Sequence, residues 1–327
     1  MERWLQVYEA VGRTNQHHLK LLEELFAQFD REGLEVLPLK GIDFLLRGIY
    51  GSLGRRPMSD IDLLVREEHL KGVLHLLEEN GFQAQRHSNF LTESFSQETV
   101  DYLSTDRDCI LDMVWNFWYR SEMKSIWERT LPYQTPCGLR KLLHPEDALH
   151  YLIAYQVAHR GNLSTLFVRD LQLFLEKEES KIDWQRWCAE ARRLKFHVPL
   201  YHGLNYAVSR GLTALPEGVI QTLQPKSISE KWLLAFYQRF VTEGKQRWSS
   251  LPYLLPWIGS SGWKSKLRLL GRAFFPSSTL IGIRRGKIPS LGARLFAGIV
   301  RPFRIPFNGF WVLSRDALRA LFSDPRK

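Results

Sequence analysis

Asp60-Ile61-Asp62 alternates carboxylate, apolar side chain and carboxylate at the head of the run Asp60-Ile61-Asp62-Leu63-Leu64-Val65. In an extended strand successive side chains point to opposite faces, so the two acids share one face while Ile61, Leu63 and Val65 take the other. Parallel carboxylates that close repel each other, and such a pair is either solvated or neutralised by a divalent cation. A cation held this way suits phosphoryl transfer, in which attacking oxygen, phosphate and leaving group must be kept in line. Alternating acids alone are weak evidence, because most such pairs are surface residues. The residues just upstream sharpen the signal. Lys40-Gly41 follows the apolar run Leu34-Glu35-Val36-Leu37-Pro38-Leu39, and a glycine at such a strand-to-helix turn lets backbone approach phosphate oxygens closely, with the free N–H groups of the next helix facing them. Lys40 either adds a point charge or is a solvated strand-end lysine. Arg55 and Arg56 either contact a triphosphate or hydrogen-bond their own loop.

These residues need a scaffold to position them. Apolar spacing over 4–30 predicts two short helices, interrupted by the polar stretch Arg13 to His18. A strand at 34–39, a helix from Ile42 to about Tyr50, a Gly/Pro/Ser/Arg loop over 51–59 and a second strand from Asp60 follow. Helical spacing returns at 67–80 and closes at Asn80-Gly81. Strands are expected near 82–86, 99–104 and 109–115, which gives a small mixed sheet with helices against one face. From Pro145-Glu146-Asp147 the pattern turns helical, with segments at about 146–159, 163–178, 183–194 and 197–210. Beyond about 228 the chain is rich in Trp, Phe, Pro, Gly and Arg and its periodicity weakens. The expected fold class is therefore α+β: N-terminal helices at 1–33, a mixed-sheet catalytic domain at 34–143, a helical domain at 144–227 and a basic, aromatic-rich C-terminal region at 228–327.

Leu39-Lys40-Gly41 and, after a helix, Arg56-Pro57-Met58-Ser59-Asp60-Ile61-Asp62-Leu63 resemble the pattern of the polymerase-β nucleotidyltransferase superfamily. The resemblance is closest to an uncharacterised bacterial nucleotidyltransferase family and to the AbiEii-type toxins. It is firm over about 34–66, looser to about 195 and slight beyond. It implies transfer of a nucleoside monophosphate from an NTP, ATP first among the candidates, to a hydroxyl-bearing acceptor with release of pyrophosphate. Mg²⁺ or Mn²⁺ would be held by Asp60 and Asp62, and the triphosphate by Lys40, Gly41, Arg56 and Ser59. Relatives carry Gly-Gly or Gly-Ser in the turn, whereas this chain has Gly41-Ile42; Gly51-Ser52 could be that pair instead, but it follows a helix and not a strand. The superfamily has a third carboxylate on a later strand, which joins the metal site or acts on the acceptor hydroxyl as a base. Asp112 fits, because Cys109-Ile110-Leu111-Asp112-Met113-Val114-Trp115 is an apolar strand interrupted by one acid, and an unpaired buried carboxylate is costly unless something uses it. Asp106 and Asp108 read as turn residues. Ser52, Arg55, His159 and Asp170 are further candidates for substrate contacts, set against a helix-capping role for His159 and an arginine pair for Asp170. Arg192-x4-His197 has the spacing of a HEPN ribonuclease motif, but its flanking residues do not fit.

Composition bounds the rest. At 327 residues, 44% hydrophobic and 24% charged, the chain can bury a sizeable core and does not read as disordered. Its three widely spaced cysteines, Cys109, Cys137 and Cys188, argue against a disulfide framework or a structural zinc site and point to a reducing cytoplasm. No signal peptide and no run of membrane-spanning length stands out. The net charge of +10 is concentrated in the tail, where residues 259–327 hold 14 Lys and Arg against Asp316 and Asp324. Cations there alternate with rings (Trp263, Lys264, Arg272, Phe274, Arg301, Phe303), a pattern that packs on the helical domain, lies peripherally on an anionic inner membrane, or binds nucleic acid. Two rival functions remain open at this level: a nucleotide-binding scaffold without catalysis, and a docking protein working through its basic tail.

Overall fold

The computed structural model describes residues 2–84, 99–104, 109–117, 119–120, 123–243 and 267. The tail beyond 243, Leu267 apart, and the acids Asp106 and Asp108 lie outside them. Two compact units divide the chain: Met1–Arg86 with Gln97–Ala148 and Leu173–Lys181, and His87–Ser96 with Leu149–Gln172 and Ile182–Lys327.

The first unit opens with one helix, α1 (Glu2–Arg31), where two were expected. The polar break was misread because Asn15 and His18 are themselves buried, on the same stripe as Leu19, Leu22, Phe26 and Phe29. A hydrophobic pattern cannot register a buried residue whose value to the fold is a hydrogen bond. After α1 come β1 (Val36–Leu39) and α2 (Lys40–Leu46). The second helix is shorter than expected because Gly48 turns left-handed, at φ 65°, and Ile49 N–H donates back to Phe44 O at 3.0 Å.

Next come β2 (Ile61–Val65), α3 (Leu70–Glu79), β3 (Gln83–Ala84), β4 (Thr99–Ser104) and β5 (Cys109–Val114). These four strands and β1 form a five-stranded sheet in the order β1-β2-β5-β4-β3. The β2–β5 pair is parallel and the other pairs are antiparallel, so the sheet is mixed. Every residue of β2 is buried, which explains why its apolar run is nearly continuous. A short helix α4 (Lys124–Glu128) then leads to a hairpin, β6 (Leu131–Thr135) and β7 (Gly138–Leu142), that the sequence reading missed. Only the last residue of each strand is buried, so no apolar alternation marks them.

The residues described up to 240 are mainly helical thereafter: α5 (Pro145–Ala154), a π-helical turn (Tyr155–Arg160), the two-residue strand β8 (Asn162–Leu163), α6 (Thr165–Glu178), α7 (Trp184–Arg193), α8 (His197–Ser209), α9 (Val219–Leu223) and α10 (Ile228–Phe240). A further short strand, β9 (Thr242–Glu243), pairs with β8. Helix α10 lies where periodicity was expected to fade; Ser227 and Glu230 close a capping box at its start. The architecture is α+β, as the sequence implied. No helix among the described residues is long and apolar enough to cross a membrane.

Within the first unit a buried network locks α2 in place. Arg47 Nε donates to both carboxylate oxygens of Asp43, at 3.0 and 2.9 Å, and Arg47 Nη2 donates to Leu143 O at 2.7 Å. Glu178 sits 3.7 Å from the same guanidinium and accepts from Tyr133 at 2.7 Å. Because α2 begins at Lys40, this network also fixes where the strand-to-helix turn stands.

Candidate active site

Strand register assembles the acids. Asp62 on β2 is the partner of Asp112 on β5, and Asp112 is in turn the partner of Asp101 on β4. Register partners share a sheet face, so three carboxylates from three neighbouring strands stand in a row. Leu39, the last residue of β1, is the partner of Asp62, and Lys40 follows it directly. The Lys40 ammonium lies against Asp62 Oδ1, with both side chains largely buried. Ser59 Oγ donates to Asp60 Oδ1 at 3.0 Å, just before β2 begins.

The electrostatics follow from that crowding. Burial pushes the Asp62 carboxyl up to about 7; the charges of Asp112 and Asp60 add to the rise and Lys40 opposes it. Burial likewise lifts Asp112 to about 7, with Asp101 and Asp60 adding and Lys40 and a hydrogen bond with Asp62 opposing. Asp101 is raised for the same leading reason, held back by its bond to Asp112 and by Lys40. Two carboxyls hydrogen-bond only if one carries a proton, so near neutral pH the row needs either protons or more positive charge.

Lys40 adopts φ 52°, a left-handed conformation that costs a residue with a Cβ about 1 kcal/mol. Glycine would avoid that strain, yet glycine stands one place later for a different reason. A Cβ on Gly41 would collide with Arg56 Nη1 and meet Met58 Sδ at 2.5 Å. Gly41 is therefore the seat of the Arg56 guanidinium, which is buried and lies 5.7 Å over the Phe44 ring. The loop carrying Arg56 is held from α1: Asn15 Nδ2 donates to Leu53 O at 2.7 Å and to Arg56 O at 2.8 Å, and Tyr8 and Ser52 share a hydroxyl bond of 2.5 Å. Arg55 is exposed.

Of the residues singled out from sequence, the structure thus brings Lys40, Asp60, Asp62 and Asp112 together, with Gly41, Arg56 and Ser59 adjoining them along the chain. Ser52 is engaged by Tyr8. His159 and Asp170 belong to the second unit. His159 lies in the π-helical turn that ends at left-handed Gly161, edge-on to Tyr155 at 5.0 Å, and Asp170 is buried on α6. Arg192 caps a backbone carbonyl, Thr222 O, at 3.0 Å, and His197 faces Glu230 at 3.2 Å, so neither serves the ribonuclease spacing. Asp101 was missed. Its one sequence signal is an acid between Val100 and Tyr102 in a strand, and only the pairing with β5 gives that meaning.

The donor set suits a divalent cation. Carboxylate oxygens are the hard ligands that Mg²⁺ and Mn²⁺ take, and Asp112 Oδ1 is buried with no hydrogen bond on it among the described residues. As the side chains stand, no three or more His, Cys, Asp or Glu among the described residues are gathered closely enough to hold an ion. The ammonium of Lys40 stands on Asp62 instead.

Comparison with known proteins shows the family. The family model described as an uncharacterised nucleotidyltransferase matches residues 1–210. The chain belongs to this family. As a member of this nucleotidyltransferase family it is an enzyme of the nucleotidyl-transfer class, and the matched stretch contains the whole carboxylate row. Among solved structures it is similar to the antibiotic-resistance factor ANT(2'')-Ia, at 15% identity over 55% of this chain and 96% of that one, with a TM-score of 0.38. It is also similar to an antigenic nucleotidyltransferase-like protein from Paracoccidioides brasiliensis, at 15% identity over 48% and 75% of the two chains, with a TM-score of 0.34. Among curated proteins none matches.

Proposed function

We propose that this nucleotidyltransferase moves a nucleoside monophosphate from an NTP, ATP being the first to test, onto a hydroxyl of a small molecule, protein or RNA, in a reaction dependent on a divalent cation. The observation that supports this reading best is the register of β2 against β5, which sets Asp62 beside Asp112. Asp60 and Asp62 would hold the cation, with Asp112 either a third ligand or the acceptor of a proton. Mg²⁺ or Mn²⁺ held there would supply positive charge against the phosphate oxygens and the departing pyrophosphate.

The chain's own residues do the positioning. Lys40 and Arg56, on either side of the Gly41 turn, offer positive charge to the triphosphate, and Ser59 orients Asp60 through its hydroxyl. The acceptor oxygen bonds to the α-phosphorus, and the bond from that phosphorus to its bridging oxygen breaks. Pyrophosphate leaves with the electron pair, and the hydroxyl proton passes to a carboxylate, for which Asp112 Oδ1 is suited because no group among the described residues donates to it. The three thiols Cys109, Cys137 and Cys188 are free and buried, which suits a reducing compartment and the cytoplasm.

The test is label transfer from each α-labelled NTP, with Mg²⁺ or Mn²⁺ and cell extract as the acceptor pool. The expected result is transfer by the wild type and none by the Asp60→Asn, Asp62→Asn double variant, and the labelled product identifies the acceptor class. Equal transfer by both proteins would sink the assignment.

A further inference from the structure

Lys40 is held in a way that the triphosphate role alone does not explain. Its ammonium is turned into the acid row and stands on Asp62, it opposes the charge of Asp101 and Asp112 as well, and it keeps a left-handed backbone that glycine would adopt without strain. Two cations cannot share one carboxylate oxygen without repelling each other. An ion that takes Asp62 Oδ1 on its way between Asp62 and Asp112 therefore displaces the ammonium.

We propose that Lys40 is a resident counter-ion of the carboxylate row, occupying the place of the divalent cation in the empty enzyme and yielding it when metal and nucleotide arrive together. The inference rests on the metal-dependent reading above. Its consequence is a coupling between two events: metal alone competes with Lys40, whereas metal entering with a nucleotide gives the displaced ammonium a phosphate to pair with. One charge of the row is thereby offset without metal, and the ion is taken up preferentially with its substrate.

The experiment is Mn²⁺ binding to the full chain without nucleotide, read by electron paramagnetic resonance, for wild type, Lys40→Met, Lys40→Gly and Lys40→Arg. Lys40→Met removes the charge and keeps the length; Lys40→Gly removes the charge and relieves the backbone. The expected result is Mn²⁺ binding at least tenfold tighter in both, wild-type affinity in Lys40→Arg, and lower nucleotidyl transfer by the two neutral variants. Tighter metal with weaker transfer is a combination that simple loss of packing does not produce. A neutral variant that folds, judged by circular dichroism, and binds Mn²⁺ no more tightly than the wild type overturns the inference. If the wild type still binds Mn²⁺ and transfers label in that case, the metal-dependent reading stands and only the role of Lys40 falls. If no variant binds Mn²⁺ at any concentration, both fall.

Discussion

Asp112→Asn should stabilise the metal-free enzyme while abolishing transfer. The carboxyl is buried and raised from 3.8 to about 7, which is roughly 4 kcal/mol of bias against its charged form. Because folding raises this pKa, the folded chain binds the proton more tightly than the unfolded one. The stability linked to that proton is complete below about pH 4 and is lost as pH rises through about 7. Asparagine keeps the shape and carries no charge to lose. The substitution also relieves Asp62, which the charge of Asp112 raises. Allowing for the hydrogen bonds that asparagine forms less well, the expected gain at about pH 8 in EDTA is about 2–4 kcal/mol. That corresponds to roughly 5–10 °C in Tm for a domain of this size. At about pH 5, where the wild-type acid is protonated too, the two proteins should melt within about 2 °C of each other. Thermal melts across this range test it, with Mn²⁺ expected to raise the wild type and leave the variant nearly unmoved. A variant that melts below the wild type at about pH 8, or a difference that is the same at both ends, refutes the idea of an under-neutralised acid row.

Gly41→Ala should drive Arg56 and Met58 off the turn, costing on the order of 1 kcal/mol because both are flexible side-chain ends, and should raise the KM for NTP more than it lowers the melting temperature. Asn15→Ala leaves the carbonyls of Leu53 and Arg56 without their buried donor, so a loss of about 2–3 kcal/mol in urea unfolding is expected, with transfer reduced because the loop leading to Asp60 loosens. Arg47→Met strands the buried carboxylate of Asp43 and takes one cation from Glu178, which keeps Tyr133 and Lys181, and should cost about 3–5 kcal/mol; a melt within 2 °C of the wild type would contradict the network. Asp101→Asn should cut transfer less than Asp112→Asn does, since Asp101 reaches the site through Asp112, and comparison of the two rates checks that order.

What could be read from the sequence was local. The alternation in Asp60-Ile61-Asp62 and the lone acid in the apolar strand around Asp112 carry their meaning within five or six residues, because strand period and burial are properties of short segments. The long helices after Pro145 were equally legible, from their 3.6-residue spacing. What escaped depends on distant partners. Asn15 looked like a helix break until its amide was seen to hold the loop at Leu53 and Arg56, about forty residues away. The hairpin of β6 and β7 buries too little to leave an apolar pattern.

Asp101 and Lys40 make the same point for the site itself. Neither is unusual in its own segment, and an acid in a half-polar strand or a lysine at a strand end is most often solvated. Each acquires chemistry only from register: Asp101 because β4 pairs with β5 so that it meets Asp112, and Lys40 because β1 pairs with β2 so that it follows the partner of Asp62. The sheet thus brings a fourth acid and a cation into a site whose sequence motif shows two acids, and the charge balance of the row is set by pairings that no short motif encodes. Substitutions that shift the register of β1 or β4, and not only those of the acids, should therefore change metal affinity.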